Sequence, residues 1–217
     1  MGCSCLRKEN YMTIGEIKIQ ALKLMFVSYS DDLSPERLLE LEAQENYRAY
    51  LVNMNGAIDR CLSDIERRCI LPVKVMELKP SGSVTEGYRT RIDITAPDFY
   101  EIERISKESL YEYDGNHPYA REGNMILLQA FDEDAIYRLL YYPRVSRTHA
   151  RSDTDDIGLP EEIAAVVPYF VKGDLFREDE PNEASEARNW YEAAMAAIQK
   201  PVANLQGRVA SKFSQVW

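Results

Sequence analysis

The sequence has no apolar run of the roughly 18 residues that a membrane-crossing helix needs. Its longest such stretches are "AIYRLLYY" and "IAAVVPYFV". No apolar core follows "MGCSCLRKENYM", so a cleavable export signal is not expected, and the chain is expected to be soluble and not exported. Histidine is scarce: His117 and His149 are the two, both in segments that read as loops, and neither stands near a cysteine at metal-ligand spacing. A glycine-rich phosphate loop, a nucleophile elbow and an HExxH pair are all missing. No catalytic residue, metal or cofactor is therefore assigned, and the chain is expected not to be an enzyme. Clustered positive charge is missing too. The formal net charge is -10, and Arg67, Arg68, Arg144, Arg147 and Arg151 are the nearest approach to a basic patch. Tight binding of nucleic acid, which needs clustered cations to neutralise phosphates, is not expected.

The four cysteines make no disulfide framework. Cys61 and Cys69 lie eight positions apart on one expected helix, which puts them about 12 Å apart along its axis, too far to bridge. Cys3 and Cys5 stand in an N-terminal tail, residues 1–12. That tail carries one rival reading, a lipid-anchored peripheral protein acylated at Gly2 and Cys3. The acylation pattern wants Ser or Thr at position six, where this chain has Leu6. A second rival is an enzyme using loop carboxylates such as Asp153–Asp156. Acids in such a loop more commonly face water or cap a helix, and Asp155 or Asp156 could serve the helix that starts near Pro160.

What the sequence does contain is helical periodicity at both ends and strand periodicity between them. Thr13 and Glu16 form a capping-box pattern ahead of Ile14, Ile17, Ala21, Leu24 and Met25, which predicts a helix over 13–28. After the break "SYSDDLSPE", Pro35 opens a long helical segment that runs to about residue 69. Its stripe is Tyr47, Leu51, Met54, Ile58, Leu62, Ile65 and Cys69; Gly56 marks a bend or a close approach. Residues 13–70 are read as the first part of a helical bundle.

Residues 71–143 read as an inserted antiparallel β module of four to six strands. "YRTRIDIT" alternates cleanly, and "DGN" and "DED" supply turn chemistry. The tyrosines on both faces suggest that this sheet packs on something outside itself. A polar connector, "PRVSRTHARSDTDDIG", then leads to a helical hairpin, and residues 144–200 are read as completing the bundle. Pro160 and Pro181 open its two helices, and Pro168 should kink the first. The second carries an alanine-rich contact stripe of Ala184, Ala187, Tyr191 and Ala194, and Pro201 should end it. Residues 201–217 are then an extended tail. Val202, Leu205, Val209, Phe213, Val216 and Trp217 recur there every three or four positions, with Arg208 and Lys212 as its positive charges. Two readings stay open: an amphipathic helix folded back on its own bundle, or, preferred, an arm that reaches a neighbouring subunit. Both chain ends are thin in apolar residues and are expected to be ordered by neighbouring chains. The expected class is thus α+β, a helical bundle with an inserted antiparallel β module and an extended C-terminal tail.

The hairpin resembles one found in tailed-phage head–tail adaptor proteins, also called head–tail connector or neck proteins. The features that carry the resemblance are Leu159-Pro160-Glu161 opening an apolar helix from Ile163 to Leu175, a charged turn Arg177–Glu180, and Trp190-Tyr191 within an alanine-rich helix. The resemblance covers about 45 residues, with weaker support over the first 70. It implies a structural virion protein at the head–tail junction, made in the host cytoplasm. It further implies a homo-oligomeric ring, commonly dodecameric, bound to the portal protein above and to a tail or tail-completion protein below. DNA passes through its channel without sequence-specific binding, and no membrane is involved. C-terminal segments of that family grip the portal, which implies a partner site at Val202, Leu205, Arg208, Val209, Lys212, Phe213 and Trp217. Acidity without a basic patch suits a channel wall that must not hold DNA.

Overall fold

The computed structural model describes residues 12–26, 33–78, 85–86, 89–109, 113–129, 132 and 134–213; of residues 85–86, 89 and 199–213 it describes the backbone alone. The chain divides into two compact units. One is Leu71–Arg144; the other joins Met1–Ile70 to Val145–Trp217.

In the second unit, helix α1 spans Ile14–Met25. Its start is a formed capping box: the Thr13 amide donates to Glu16 Oε2 at 2.7 Å, and the Glu16 amide donates to Thr13 Oγ1 at 3.1 Å. A 3-10 turn at Pro35–Arg37 leads into the short helix α2, Leu38–Glu42, and then helix α3, Glu45–Arg67. The long helix expected from Pro35 onward is therefore broken. Gln44 takes an extended backbone (φ -87°, ψ 126°), and the unbroken apolar stripe begins only at Tyr47. The first helix of the hairpin is also divided, into α4 (Glu161–Ala164) and α5 (Val167–Leu175). Pro168 starts α5 rather than kinking a longer helix. In a first turn its missing N–H removes no bond, whereas inside a helix its ring would clash with the preceding turn.

Helix α5 is the centre of this unit. It packs against α1, α3 and helix α6, which spans Pro181–Phe213. Val167, Phe170 and Val171 are buried, each contributing about 1.5–3 kcal/mol of hydrophobic stabilisation. At the lower end of this packing, Phe26 meets Tyr47, Tyr50 and Phe176 edge-on at 5.3–6.3 Å between ring centres. Helix α6 runs on through Pro201 instead of ending there, so the extended tail expected after it is a correction. Pro201 removes one backbone donor, while Ala196, Ala197, Gln199 and Lys200 before it and Ala203, Leu205 and Gln206 after it are helix-favouring residues.

The unit Leu71–Arg144 is all strand and turn. Its strands are β1 (Lys74–Leu78), β2 (Thr85–Glu86), β3 (Arg89–Asp93), β4 (Phe99–Glu108), β5 (Tyr113–Asp114), β6 (Tyr119–Glu122), β7 (Met125–Gln129) and β8 (Ile136–Pro143). They form two four-stranded antiparallel sheets, ordered β1-β8-β4-β5 and β2-β3-β7-β6. Both sheets feed one core: Leu78, Phe99, Ile102, Ile105, Tyr137, Leu139 and Tyr141 from the first; Ile92, Ile126 and Leu128 from the second. Alternation explains this, since β8 buries every second residue from Tyr137 to Pro143. Asp114 and Asp132 accept the amides of Asn116 and Asp134, as turn residues should.

These observations overturn the expected fold class. A helical bundle carrying a single inserted sheet does not describe the molecule: strands make up a substantial part of it, in two antiparallel sheets around a core of their own. The strands β2 and β6, of two and four residues, hold too few positions for alternation to register, and they are the ones that went uncounted. The tyrosines expected to face an outside partner are divided, with Tyr137 and Tyr141 turned into the unit's own core.

Two predictions follow from this packing. Ala187 is buried on α6, so Ala187→Leu should overpack that seam and lower the unfolding free energy by about 1–3 kcal/mol, measured by urea denaturation. In the β unit, Asp98 accepts from Tyr141 Oη at 3.0 Å and from Lys74 Nζ. Burial alone would raise the Asp98 carboxyl, but Lys74 and Tyr141 outweigh it and hold it below its ordinary value. A lowered folded-state value means stability that is present above the unfolded value, about 4, and is lost as pH falls through the folded one. Asp98→Asn should therefore cost about 1 kcal/mol at neutral pH, the partial exposure of Lys74 holding the figure down, and the deficit should close along an acid series of denaturation curves.

Candidate functional site

Within the helical unit, α5 and α6 approach each other closely at Gly173. A Cβ added at Gly173 would stand 2.9 Å from Arg188 Cγ and 3.1 Å from the Ala184 carbonyl oxygen. Glycine on α5 and alanine on α6 are thus what allow the two helices to meet. Arg188 lies with its guanidinium 4.0 Å from the centre of the Phe170 ring, and Phe170 meets Tyr191 edge-on at 5.1 Å. Of the expected contact stripe, Ala184, Ala187 and Tyr191 are buried and Ala194 is half-buried.

One turn further along, α6 is fastened to α3 by polar groups. Tyr191 Oη donates to Asp64 Oδ2 at 2.8 Å. Arg68 Nε donates to the same oxygen at 2.7 Å, and its Nη2 donates to Glu192 Oε1 at 2.7 Å. Burial, with Cys61 and Asp64 beside it, pushes the Tyr191 phenol well above its ordinary range. Burial likewise raises the Cys61 thiol, which is free and fully enclosed, and so suppresses thiolate chemistry there. On α5, Asp174 binds Arg60 Nε at 3.0 Å and lies 3.8 Å from Arg188 Nη2.

The connector Val145–Gly158 is held by a second set. Glu66, buried near the end of α3, accepts from the Val145 amide at 2.8 Å and from Arg147 through two nitrogens at 3.1 and 2.7 Å. Asp59 accepts from the Thr148 amide at 2.8 Å. The acidic run reaches α1: the Ile14 amide donates to the Asp155 carbonyl at 3.0 Å and the Gly15 amide to the Asp153 carbonyl at 2.8 Å. Two amides that a helix start leaves unpaired are satisfied in this way. Lys18 Nζ sits 2.7 Å from Asp153 Oδ1.

The carboxylates of Asp155 and Asp156 accept from the Ser152 and Gly158 amides and shape a turn that Gly158 completes at φ +75°. They do not cap the helix at Pro160, which has no side-chain cap. Among the described residues, no group of three or more His, Cys, Asp or Glu side chains is arranged to hold a metal ion. His117, expected in a loop, is buried, with Nε2 3.0 Å from the Gln129 carbonyl and Nδ1 3.2 Å from Asp114 Oδ2.

Val202, Leu205, Arg208, Val209, Lys212 and Phe213 lie on the backbone of α6, their side chains outside the described residues, as is Trp217 altogether. The tails 1–11 and 214–217 are outside them too. Sequence reading missed the polar fasteners. Glu66 sits beside the apolar stripe of α3 and its partner Arg147 is 81 positions away, a separation that no local periodicity reports. The Gly173–Ala184 approach did leave a signal, a glycine inside an apolar helix facing an alanine-rich one.

No protein-family model matches the chain, and no curated protein matches it in sequence. No helix among the described residues is long and apolar enough to cross a membrane.

Removing the Glu66 carboxylate leaves Arg147 and the Val145 amide without their acceptor in a largely buried setting. Glu66→Ala should cost about 3 kcal/mol, and Glu66→Ala with Arg147→Ala should cost less than the sum of the two single changes in a urea double-mutant cycle.

Proposed function

We propose that this chain is a structural adaptor of a tailed-phage virion, forming a ring between portal and tail at the head–tail junction. The observation that carries the reading is the α5–α6 hairpin. It presents the residues of the resemblance in their order: Leu159-Pro160-Glu161, the apolar α5, the charged turn Arg177–Glu180, and an α6 whose middle holds Trp190-Tyr191 among alanines. Helix α6 is 33 residues, about 50 Å, long. Along its described side chains Ala184, Ala187, Tyr191 and Met195 are buried and Ile198 is half-buried. It is much longer than the nine-residue α5 beside it, which favours a role in contacts with another chain.

In this reading the portal meets the end of α6, through Val202, Leu205, Arg208, Val209, Lys212, Phe213 and Trp217. Aromatic residues and arginine are common anchors of protein interfaces. The ring extends the DNA channel without gripping the DNA: at a net charge of -10 with dispersed cations, its wall repels a polyanion. The tail or a tail-completion protein docks on the opposite end of the ring.

Cryo-electron microscopy of assembled particles tests the reading. A ring of this chain between portal and tail is the expected density; particles whose junction lacks it would refute the assignment. The end of α6 is tested by deleting residues 202–217. The expected truncated chain keeps its unfolding midpoint, because Ala184, Ala187, Tyr191 and Met195 are retained, and is missing from particles. Normal incorporation of the truncated chain would move the portal site elsewhere.

A further inference from the structure

The outward face of α6 carries a large apolar side chain with no cover. Trp190 is 61% exposed, while Tyr191 beside it is fully buried. Glu183 and Glu186 precede Trp190, and Ala193 and Ala197 follow it, at helical spacing and exposed with it; the Glu183 carboxylate also meets Lys172 Nζ at 2.7 Å. The result is a stripe of one protruding indole between two acids and two alanines. An indole buries some 150–250 Å² when it is covered, so leaving it in water forgoes a sizeable stabilisation.

A face of complementary charge lies on α3. Val52 is 72% exposed, and Ala49 and Gly56, one turn to either side, are exposed as well. The space where Gly56 would carry a Cβ holds nothing within 4 Å except Arg60 Nη1 at 3.4 Å. Gly56 therefore makes no close backbone approach among the described residues, and the glycine leaves a shallow dent on the surface. The basic residues Arg48 and Arg60 flank the dent, and the Arg60 side chain is 57% exposed even while it holds Asp174. An indole with acids beside it and a dent with arginines beside it match in sign.

We propose that the Trp190 face of α6 seats on the Val52–Gly56 face of α3 in a second copy of this chain. The occupant is assigned on charge. The chain as a whole is strongly acidic, so two copies repel unless they meet through patches of opposite sign, and these two patches supply that match. Because the patches lie on different helices, the contact is head-to-tail. It repeats from copy to copy and closes into a ring when the rotation between neighbours permits. The inference rests on the ring reading above and gives that ring its subunit contact.

The test uses the full-length chain. Two variants, Ala193→Cys and Ala49→Cys, one of them isotope-labelled, are mixed at high concentration and treated with a short bis-maleimide. Each leaves Trp190 and Val52 in place. The expected product is a linked peptide pair that joins position 193 of one copy to position 49 of another, identified by mass spectrometry. Trp190→Ala should weaken self-association at least about tenfold in sedimentation velocity. Glu186→Arg mixed with Arg48→Glu should associate more tightly than either variant alone. Oligomers without the 193–49 link would overturn this contact and leave the ring reading intact. Neither link nor oligomer at the highest soluble concentration, with rings nonetheless seen on particles and Trp190→Ala incorporated normally, would also overturn it. Absence of the chain from the particle junction would instead remove the ring reading itself.

Discussion

The helical unit depends on the enclosure of one short helix. Nine residues from Val167 to Leu175 could not hold a helix alone in water, because nucleating a helix costs more than so few hydrogen bonds return. Burial supplies what propensity lacks. With Val167, Phe170 and Val171 inside and α1, α3 and α6 around them, α5 is the piece that gives the other helices a common surface. Pro168 and Gly173, both poor residues for a helix interior, are tolerated for separate reasons. The proline stands in the first turn, and the glycine is where the backbone of α6 comes within van der Waals reach.

This arrangement also shows why the chain can leave the helical unit at Ile70 and return at Val145. The two points are held together from inside the unit. Glu66, four residues before the exit, accepts the amide of the first residue after the return and grips Arg147 as well. The connector then runs on to α1, where its carbonyls take two free amides of the helix start. A buried carboxylate is an expensive way to join two segments unless all its partners are present. Here Glu66 has a backbone amide and a two-nitrogen contact with a guanidinium, so the charge is matched in full.

Much of this architecture could be read from the sequence, and the part that could not shares one character. Long periodic segments announced themselves: the stripe from Tyr47 to Ile65, the capping box at Thr13, the alternation through Thr90, Ile92 and Ile94. Each is a local pattern repeated often enough to stand above chance. Boundaries fixed by a single residue were misread. Pro168 marks a helix start rather than a kink, Pro201 interrupts nothing in the backbone of α6, and Gln44 breaks a segment whose composition gave no warning. The pairing of eight strands into two sheets was hidden for another reason. A strand such as Tyr113–Asp114 is defined by its partner Lys107–Glu108, and the partner is not part of the local sequence.

The same distinction separates the hairpin's inner face from its outer one. Alanine and tyrosine on the inner face of α6 are accounted for by what they touch: Ala184 by Gly173, Tyr191 by Phe170 and Asp64. Trp190 is accounted for by no contact among the described residues. Exchanging it for a polar residue would break none of the contacts that hold α6 to α3 and α5. A tryptophan on such a surface, next to acids and on the outside of an otherwise tightly fitted helix, gains stabilisation only from whatever covers it. Since the chain also carries an exposed face flanked by arginines on α3, a further copy of the same chain is the partner that requires no other component to complete the surface.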